Sequence, residues 1–379
     1  MRTLAQNVHP TRRMYQIVRP LLFRLDAERA HNLSLLAARL VQAITPKLVE
    51  PLFEYEHDRL KQTLWGLHFP NPVGLAAGVD KNARLVPFWE AVGFGFTEVG
   101  SVSAQASEGN PRPRAFRVPA DEAIINRMGL NNQGAEAIAR RIRKYEFRRH
   151  RPLGINIVKT HDPSIMGADA LEDFRGSFRA LAPQADYVAL NISCPNTREG
   201  KTFEEPDALD DLLDVIFSER SALDLNVPIL LKLSPPINTQ VVFDSQVEDI
   251  VACAQEYGVH GFIASNTASD RDGLTADEAT LDAIGRGGLS GAPLAERSTH
   301  LVRYLYRATD GAVPIIGVGG VNSMETAYAK IRAGASLVQL YTGMVYEGPG
   351  LIKRIKEGLV EHLHREGIAS IAEVVGADA

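Results

Sequence analysis

The spacing of apolar residues changes near residue 60. Before it, Leu33, Leu36, Ala37, Leu40, Val41 and Ile44 recur at helical intervals, Pro46 interrupts, and Leu48, Val49, Leu52 and Phe53 resume the stripe. After it, short apolar runs alternate with longer amphipathic stretches. VGLAA (73–77), FTEVG (96–100), LGINIV (153–158), YVALNI (187–192), PILLKL (228–233), GFIAS (261–265), VPIIGV (313–318) and SLVQLY (336–341) predict strands. Helices are predicted at 82–92, 131–147, 168–182, 207–220, 245–257, 293–309, 323–333 and 350–365. A strand–helix unit repeated eight times predicts an α/β fold, a (β/α)8 TIM barrel over residues 61–379, behind a small N-terminal helical module over 1–60. An open doubly wound sheet is the alternative, but no GxGxxG is present. GKT at 200–202 does not complete a phosphate loop, because the required first glycine falls on Pro195.

Composition narrows the function. The 379 residues are 45% hydrophobic and carry a net charge of −5, which excludes a disordered chain and a general nucleic-acid binder. Only Cys194 and Cys253 occur, and no HExxH appears, so neither a disulfide framework nor a metal site is expected, and a reducing cytosol fits. No apolar run reaches the roughly 20 residues of a membrane span, and no secretory signal is legible. Residues 1–24 hold Arg2, Arg12, Arg13, Arg19 and Arg24 without one acid, interleaved with Met14, Tyr15, Ile17, Val18, Leu21, Leu22 and Phe23. That reads as a basic amphipathic segment able to lie on an anionic membrane surface; a solvated or core-packed helix is the plainer alternative.

Barrel chemistry sits at the C-terminal ends of the strands. There the sequence places Ala77, Gly78, Asp80 and Lys81; Ser101; Asn156 and Lys159; Asn191, Ser193, Cys194 and Asn196; Lys232; Ser265, Asn266 and Thr267; GVGG (317–320); and Tyr341, Thr342 and Gly343. Glycines after the seventh and eighth strands, with Gly288 and Gly291, suit a phosphate held on backbone N–H groups. The Asn and Thr side chains suit a planar ligand bearing amide and imide groups. Lys81 and Lys232, with no obvious acidic partner, suit an anionic ligand or flavin. Singly, GVGG is a tight turn, a strand-end Asn is a cap and Cys194 is a small buried residue. Cys253, between Ala252 and Ala254 on an amphipathic stretch, reads as core. The argument rests on these features meeting at one rim.

The strings NPVGLAAGVDK (71–81), GNPRPRAFR (109–117), INRMGLNN (125–132), NISCPNT (191–197), GGLSG (287–291), IIGVGG (315–320) and LVQLYTG (337–343) resemble dihydroorotate dehydrogenase over nearly the whole chain. LFRLDAERAH (22–31) and IAEVVGADA (371–379) resemble its membrane-associated, quinone-reducing class 2 branch. The resemblance implies oxidation of dihydroorotate to orotate in pyrimidine synthesis, with hydride passing to FMN and electrons to a membrane quinone. It implies FMN contacts from Ala77, Gly78, Ser101, Asn156, Asn191, Lys232, Ser265, Gly291, Gly320, Tyr341 and Thr342. It implies substrate contacts from Lys81, Asn126, Arg127, Met128, Gly129, Leu130, Asn196, Asn266 and Thr267, and a quinone site at His31, Arg117 and Tyr341. The N-terminal helices then form an apolar tunnel held against anionic lipid on the cytoplasmic side of the cell membrane.

Three positions depart from the class 2 pattern. The base that removes the substrate's C5 proton falls on Cys194, where that branch carries serine and the soluble class 1 branch carries cysteine. A thiol is a competent base at mild pH if its surroundings favour the thiolate. The following loop reads CPNTREGKTFEEP (194–206) in place of SPNTPGLR, and Leu130 stands where phenylalanine is usual. These departures keep two alternatives open: an FMN oxidoreductase of dihydropyrimidine or class 1 type with a soluble acceptor, and a flavin-binding barrel without turnover.

Overall fold

The structure, a computed structural model, describes residues 10–193, 202–236 and 245–379. Each predicted barrel strand is present: β1 (Val73–Leu75), β2 (Phe96–Val102), β3 (Leu153–Ile157), β4 (Tyr187–Asn191), β5 (Ile229–Leu233), β6 (Gly261–Ala264), β7 (Ile315–Val318) and β8 (Ala335–Leu340). They pair in parallel and in chain order, and β8 returns to β1 to close the barrel. Parallel strands buried on both faces read as near-continuous apolar runs, which is why these segments stood out.

Side chains alternate across a strand, so every second residue enters the barrel. Phe96, Tyr187, Leu230, Ile263, Ile316 and Leu337 form the lower inner layer. A hairpin, Gln62–Leu64 with Leu67–Phe69, closes that end: Phe69 meets Phe96 edge-on at 5.4 Å and Trp65 donates to the His260 carbonyl at 2.7 Å. Two residues further up, the inward positions turn polar: Glu98 above Phe96, Lys232 above Leu230 and Gln339 above Leu337. The apolar floor thus carries a polar storey that faces the C-terminal mouth.

The helices between strands follow the prediction, with two shifted starts. The first begins at Val86, not 82, because the Asp80 carboxylate accepts the Arg84 and Leu85 N–H groups and holds 80–85 as a turn. The second begins at Ala135, not 131, because Asn132 pairs with Ser107 and its side chain takes the Gly134 N–H. A three-stranded antiparallel sheet was not anticipated: Ala115–Val118, Ala123–Asn126 and Gly288–Gly291 pair over the mouth. GGLSG, whose Gly288 and Gly291 were expected to add to a phosphate lining, therefore contributes a strand whose end supplies Gly291.

The N-terminal helices Pro10–Phe23 and Ala27–Ile44 lie against this same end. Tyr15 donates to the Val345 carbonyl at 2.6 Å, Arg19 to the Tyr346 carbonyl at 3.1 Å, and Gln42 to the Arg84 carbonyl at 3.0 Å. Glu28, buried at the start of the second helix, pairs with Arg114 at 2.9 Å and Arg112 at 3.2 Å. Their outer faces expose Met14, Ile17, Leu21, Leu36, Leu40 and Ile44. Among the described residues no helix is long and apolar enough to cross a membrane. Cys253 is half-buried against the core, and burial pushes its thiol up to about 11.

Candidate active site

Strand ends bring nine of the predicted residues to one cavity of about 510 Å³, measured out to its open mouth. Ala77, Lys232, Ser265, Asn266, Thr267, Gly291, Gly320, Tyr341 and Thr342 line it, joined by Ser290, Gly319 and Gln339. Beside it runs a chain of hydrogen bonds across the barrel mouth. Ser101 donates to Asn156, Asn191 Nδ2 to Ser101 Oγ at 3.2 Å, and Ser193 to Asn191 Oδ1 at 2.9 Å. Asn266 Nδ2 then reaches Asn191 Oδ1 at 3.1 Å and Ser193 Oγ at 2.7 Å. Four strands are tied together by polar side chains that retain further donors and acceptors for a ligand.

The sequence reading of Lys232 as lacking an acidic partner is corrected. Glu98 Oε1 stands 3.7 Å from its Nζ, and both side chains are buried. Glu98 was missed because FTEVG reads as an ordinary strand; its inward position, two residues above Phe96, was the available signal. Asn156, Tyr187 and Gln339 also donate to this carboxylate, at 3.1, 3.1 and 2.7 Å. Burial first, then Glu98, pushes the Tyr187 phenol up, so it remains a donor.

Lys81 is different. Its Nζ donates to Asn131 Oδ1 at 2.6 Å, and among the described residues no carboxylate lies within ion-pair reach. Burial and the nearby Arg114 guanidinium lower it to about 8, against a smaller opposing effect of Glu28. An ammonium so placed gains from an incoming carboxylate. Asn131, adjacent to the predicted 126–130 stretch, is a second residue the sequence reading missed.

The 126–130 segment leaves the middle strand of the antiparallel sheet. Asn126 donates to the Gly288 carbonyl at 3.4 Å. Gly129 sits at φ +70 against Asn110, and Leu130 at φ +54. The Met128 carbonyl accepts from the Asn110 N–H at 3.2 Å. Arg127 points its guanidinium at the Ile284 and Arg286 carbonyls over the Phe116 ring, so it braces the sheet. Cys194 and Asn196 lie outside the described residues. The end of their loop is anchored: Phe203 N–H bonds the Ile192 carbonyl at 3.1 Å, and Glu204 accepts from Ser234 N–H at 2.7 Å.

At the barrel's other flank, His31 and Tyr341 meet with ring centroids 6.5 Å apart. Burial, then Lys81, lowers His31 to about 4, so it is neutral; burial, then Glu28, raises Tyr341 to about 12. Arg117 donates to the Leu22 and Leu25 carbonyls and lies over the Phe23 ring at 4.6 Å, clasping the turn between the two N-terminal helices.

The donor set fits FMN. Gly78 adopts φ +102, and a Cβ there would meet only Tyr341, at 3.8 Å, so its backbone borders open space beside that ring. Gly319 and Gly320 also take positive φ, and Gly320 packs so closely on Ala295 that a Cβ would lie 2.5 Å from its nitrogen. Helix Ala295–Ala308 starts there without a side-chain cap, entered through the turn Ala292–Leu294, whose first carbonyl takes the Ala295 N–H. Gln339 Oε1 is buried in the cavity wall without a partner, an acceptor suited to a ligand N–H. Among the described residues no cluster suits a metal ion.

Comparisons with known proteins agree with this geometry. The profile of the family described as dihydroorotate dehydrogenase matches residues 59–363. A protein of Roseiflexus sp. (strain RS-1) named dihydroorotate dehydrogenase (quinone) is 46% identical over 367 residues, 96% of this chain and 98% of its own. One of the same name from Deinococcus deserti is 44% identical, covering 97% and 100%. Among solved structures, the ligand-free DHODH of Eimeria tenella superposes with a TM-score of 0.78 at 34% identity, covering 90% of this chain and 98% of that one. Its complex with ferulenol gives a TM-score of 0.77 at 32% identity, covering 89% and 95%.

Proposed function

The chain belongs to the dihydroorotate dehydrogenase family, and from that premise we propose how its residues oxidise dihydroorotate to orotate. It is a quinone-dependent member acting in pyrimidine biosynthesis. Bound FMN would supply the acceptor for the hydride that leaves C6 of the substrate and the relay of its electrons to quinone. Ala77, Gly78, Ser101, Asn156, Asn191, Lys232, Ser265, Gly291, Gly320, Tyr341 and Thr342 hold it. The observation that carries this reading is the hydrogen-bonded rim from Ser101 to Asn266, set beside Lys232 at one cavity.

Lys81 neutralises the substrate carboxylate. Asn126, Asn196, Asn266 and Thr267 read the pyrimidine's amide and imide edges, and the main chain of Met128–Leu130 closes that side. Arg127, already bonded to Ile284 and Arg286, supports this wall instead of reaching the substrate with its guanidinium. Cys194 removes the C5 proton. Residues 1–60 act as a docking module, with neutral His31, Arg117 and Tyr341 at the inner end of the quinone path. The soluble-acceptor and non-catalytic alternatives are not favoured, since the full-length relatives carry the quinone-dependent name.

The test is an anaerobic titration of purified protein with L-dihydroorotate, followed by a soluble quinone. Stoichiometric bleaching of the flavin band and rapid recovery on quinone are expected. Bleaching without recovery sinks the acceptor; flavin that stays oxidised sinks the substrate.

The exposed apolar faces of the N-terminal helices, flanked by Arg13, Arg24 and Arg29, suit the cytoplasmic leaflet, where each basic residue contributes about 1 kcal/mol. Co-sedimentation with vesicles containing anionic lipid should exceed that with neutral vesicles and weaken with salt. Leu36→Asp with Leu40→Asp should abolish it while flavin reduction by dihydroorotate in solution persists. Equal binding to both vesicle types would remove the electrostatic part of this reading.

A further inference from the structure

Behind the Gly319–Gly320 loop lies a charge that the reaction does not use. Lys330, on helix Met324–Arg332, is wholly buried. Its Nζ donates to the Ala295 carbonyl at 3.1 Å, to Thr299 Oγ1 at 3.0 Å and to Ser298 Oγ, all in the first turns of helix Ala295–Ala308. Ser298 Oγ in turn stands 3.0 Å from the Gly319 carbonyl, so one hydroxyl separates the ammonium from the loop that borders the cavity.

All three acceptors are neutral. Neighbouring charges are engaged elsewhere: Arg297 with Asp270 at 2.8 Å, Glu296 with His300 at 3.9 Å, and Arg332 with Asp378. Strands β7 and β8, which pack beneath, carry no titratable side chain, and Glu325 and Tyr328 share the lysine's own helix without bonding it. Burial alone therefore lowers Lys330, to about 7. A buried ammonium is unfavourable without a counter-ion, and more so beside a helix N-terminus, whose dipole is also positive. Both positive elements stand behind the glycine loop that borders the cavity.

We propose that Lys330 is a positioning residue whose buried ammonium is completed by the flavin phosphate, so that the protein holds FMN more tightly when this lysine carries its proton. The inference rests on the reading that the cavity takes FMN. A bound phosphate dianion favours the charged lysine and thereby raises its affinity for a proton; by reciprocity, loss of the proton weakens the hold on the phosphate.

The test follows release of FMN from the diluted holoenzyme by the rise in free-flavin fluorescence. Release should accelerate about tenfold or more from about pH 6 to about pH 9, the factor that one unit of pKa displacement produces. Lys330→Met should release FMN faster at low pH and lose this slope. Lys330→Arg, whose guanidinium does not titrate in this range, should also be flat but slow. The phosphorus resonance of bound FMN gives an independent readout and should shift in Lys330→Met. A merely structural lysine would change the melting temperature and the release rate alike at every pH, with the slope kept. A flat wild-type profile overturns the proposal without any variant, as does a Met variant that keeps the slope. A purified protein that binds no flavin overturns the cofactor reading and this proposal together; firmly held flavin with pH-independent release overturns this proposal alone.

Discussion

Lys81→Met should raise the KM for dihydroorotate by about 10- to 100-fold, the range expected when a charge-assisted hydrogen bond of about 1.5–3 kcal/mol is removed. The reason lies in what surrounds the ammonium. Asn131 fixes its position at 2.6 Å without neutralising it, and burial with the Arg114 charge holds it at about 8. The group is short of negative charge, which under the proposed function the substrate carboxylate supplies. The sign with pH follows. Below about 8 the lysine of the free enzyme is charged and the carboxylate binds fully; above it, each further pH unit removes about tenfold of that contribution. Steady-state kinetics should therefore show KM climbing on the alkaline side while kcat changes less, because the carboxylate contact is made in ground and transition states alike. Lys81→Arg should flatten this alkaline limb, since its guanidinium keeps its charge. A KM in Lys81→Met within about twofold of wild type, below the loss expected for a charge-assisted bond, would remove the residue from substrate binding.

The contrast between the two lysines shows what the sequence could and could not tell. Both stand at the C-terminal end of a strand, and both read as unpaired cations. Strands themselves were legible because segments buried on both faces carry dense apolar runs, and the rim followed from the fold, since strand ends in a parallel barrel converge. What the runs do not encode is which inward residue meets which across the barrel. Glu98 lies 134 positions before Lys232, and closure of eight strands brings the two together. The sheet over the mouth was hidden for a related reason: Gly288–Gly291 pairs with Ala123–Asn126, and neither segment shows a strand's alternation. Asp80 displaced a helix start by a local capping competition that apolar spacing does not register. Lys330 was invisible as anything but a helix residue, because its interest comes from the absence, among the described residues, of a carboxylate bonded to it.

Glu98→Ala should be the most destabilising single change in the barrel interior, by about 3–5 kcal/mol, the loss seen when one partner of a buried ion pair is removed. The carboxylate is fully buried and collects four groups: the Asn156 amide, the Tyr187 hydroxyl, the Gln339 amide and, at 3.7 Å, the Lys232 ammonium. Truncation leaves the Asn156 and Tyr187 donors without this acceptor, the Gln339 amide with only the Tyr187 hydroxyl at 3.5 Å, and a cation without a counter-charge, in a space bounded below by Phe96 and Tyr187 where water has little access. Glu98→Gln keeps the volume but turns an amide N–H₂ toward groups that are themselves donors, so it should fall between wild type and alanine. The charge and hydrogen-bond parts separate in a cycle with Lys232→Met: removing the cation as well should recover part of the loss in Glu98→Gln, whereas two independent defects would add. Thermal unfolding of flavin-loaded and flavin-free protein reads all four forms. The flavin-loaded difference should be the larger if Lys232 and Asn156 hold the cofactor as proposed, because the same carboxylate holds both. Melting of Glu98→Ala within about 1 kcal/mol of wild type would mean that the network is satisfied without its centre, and the polar storey would then lose its part in holding the site.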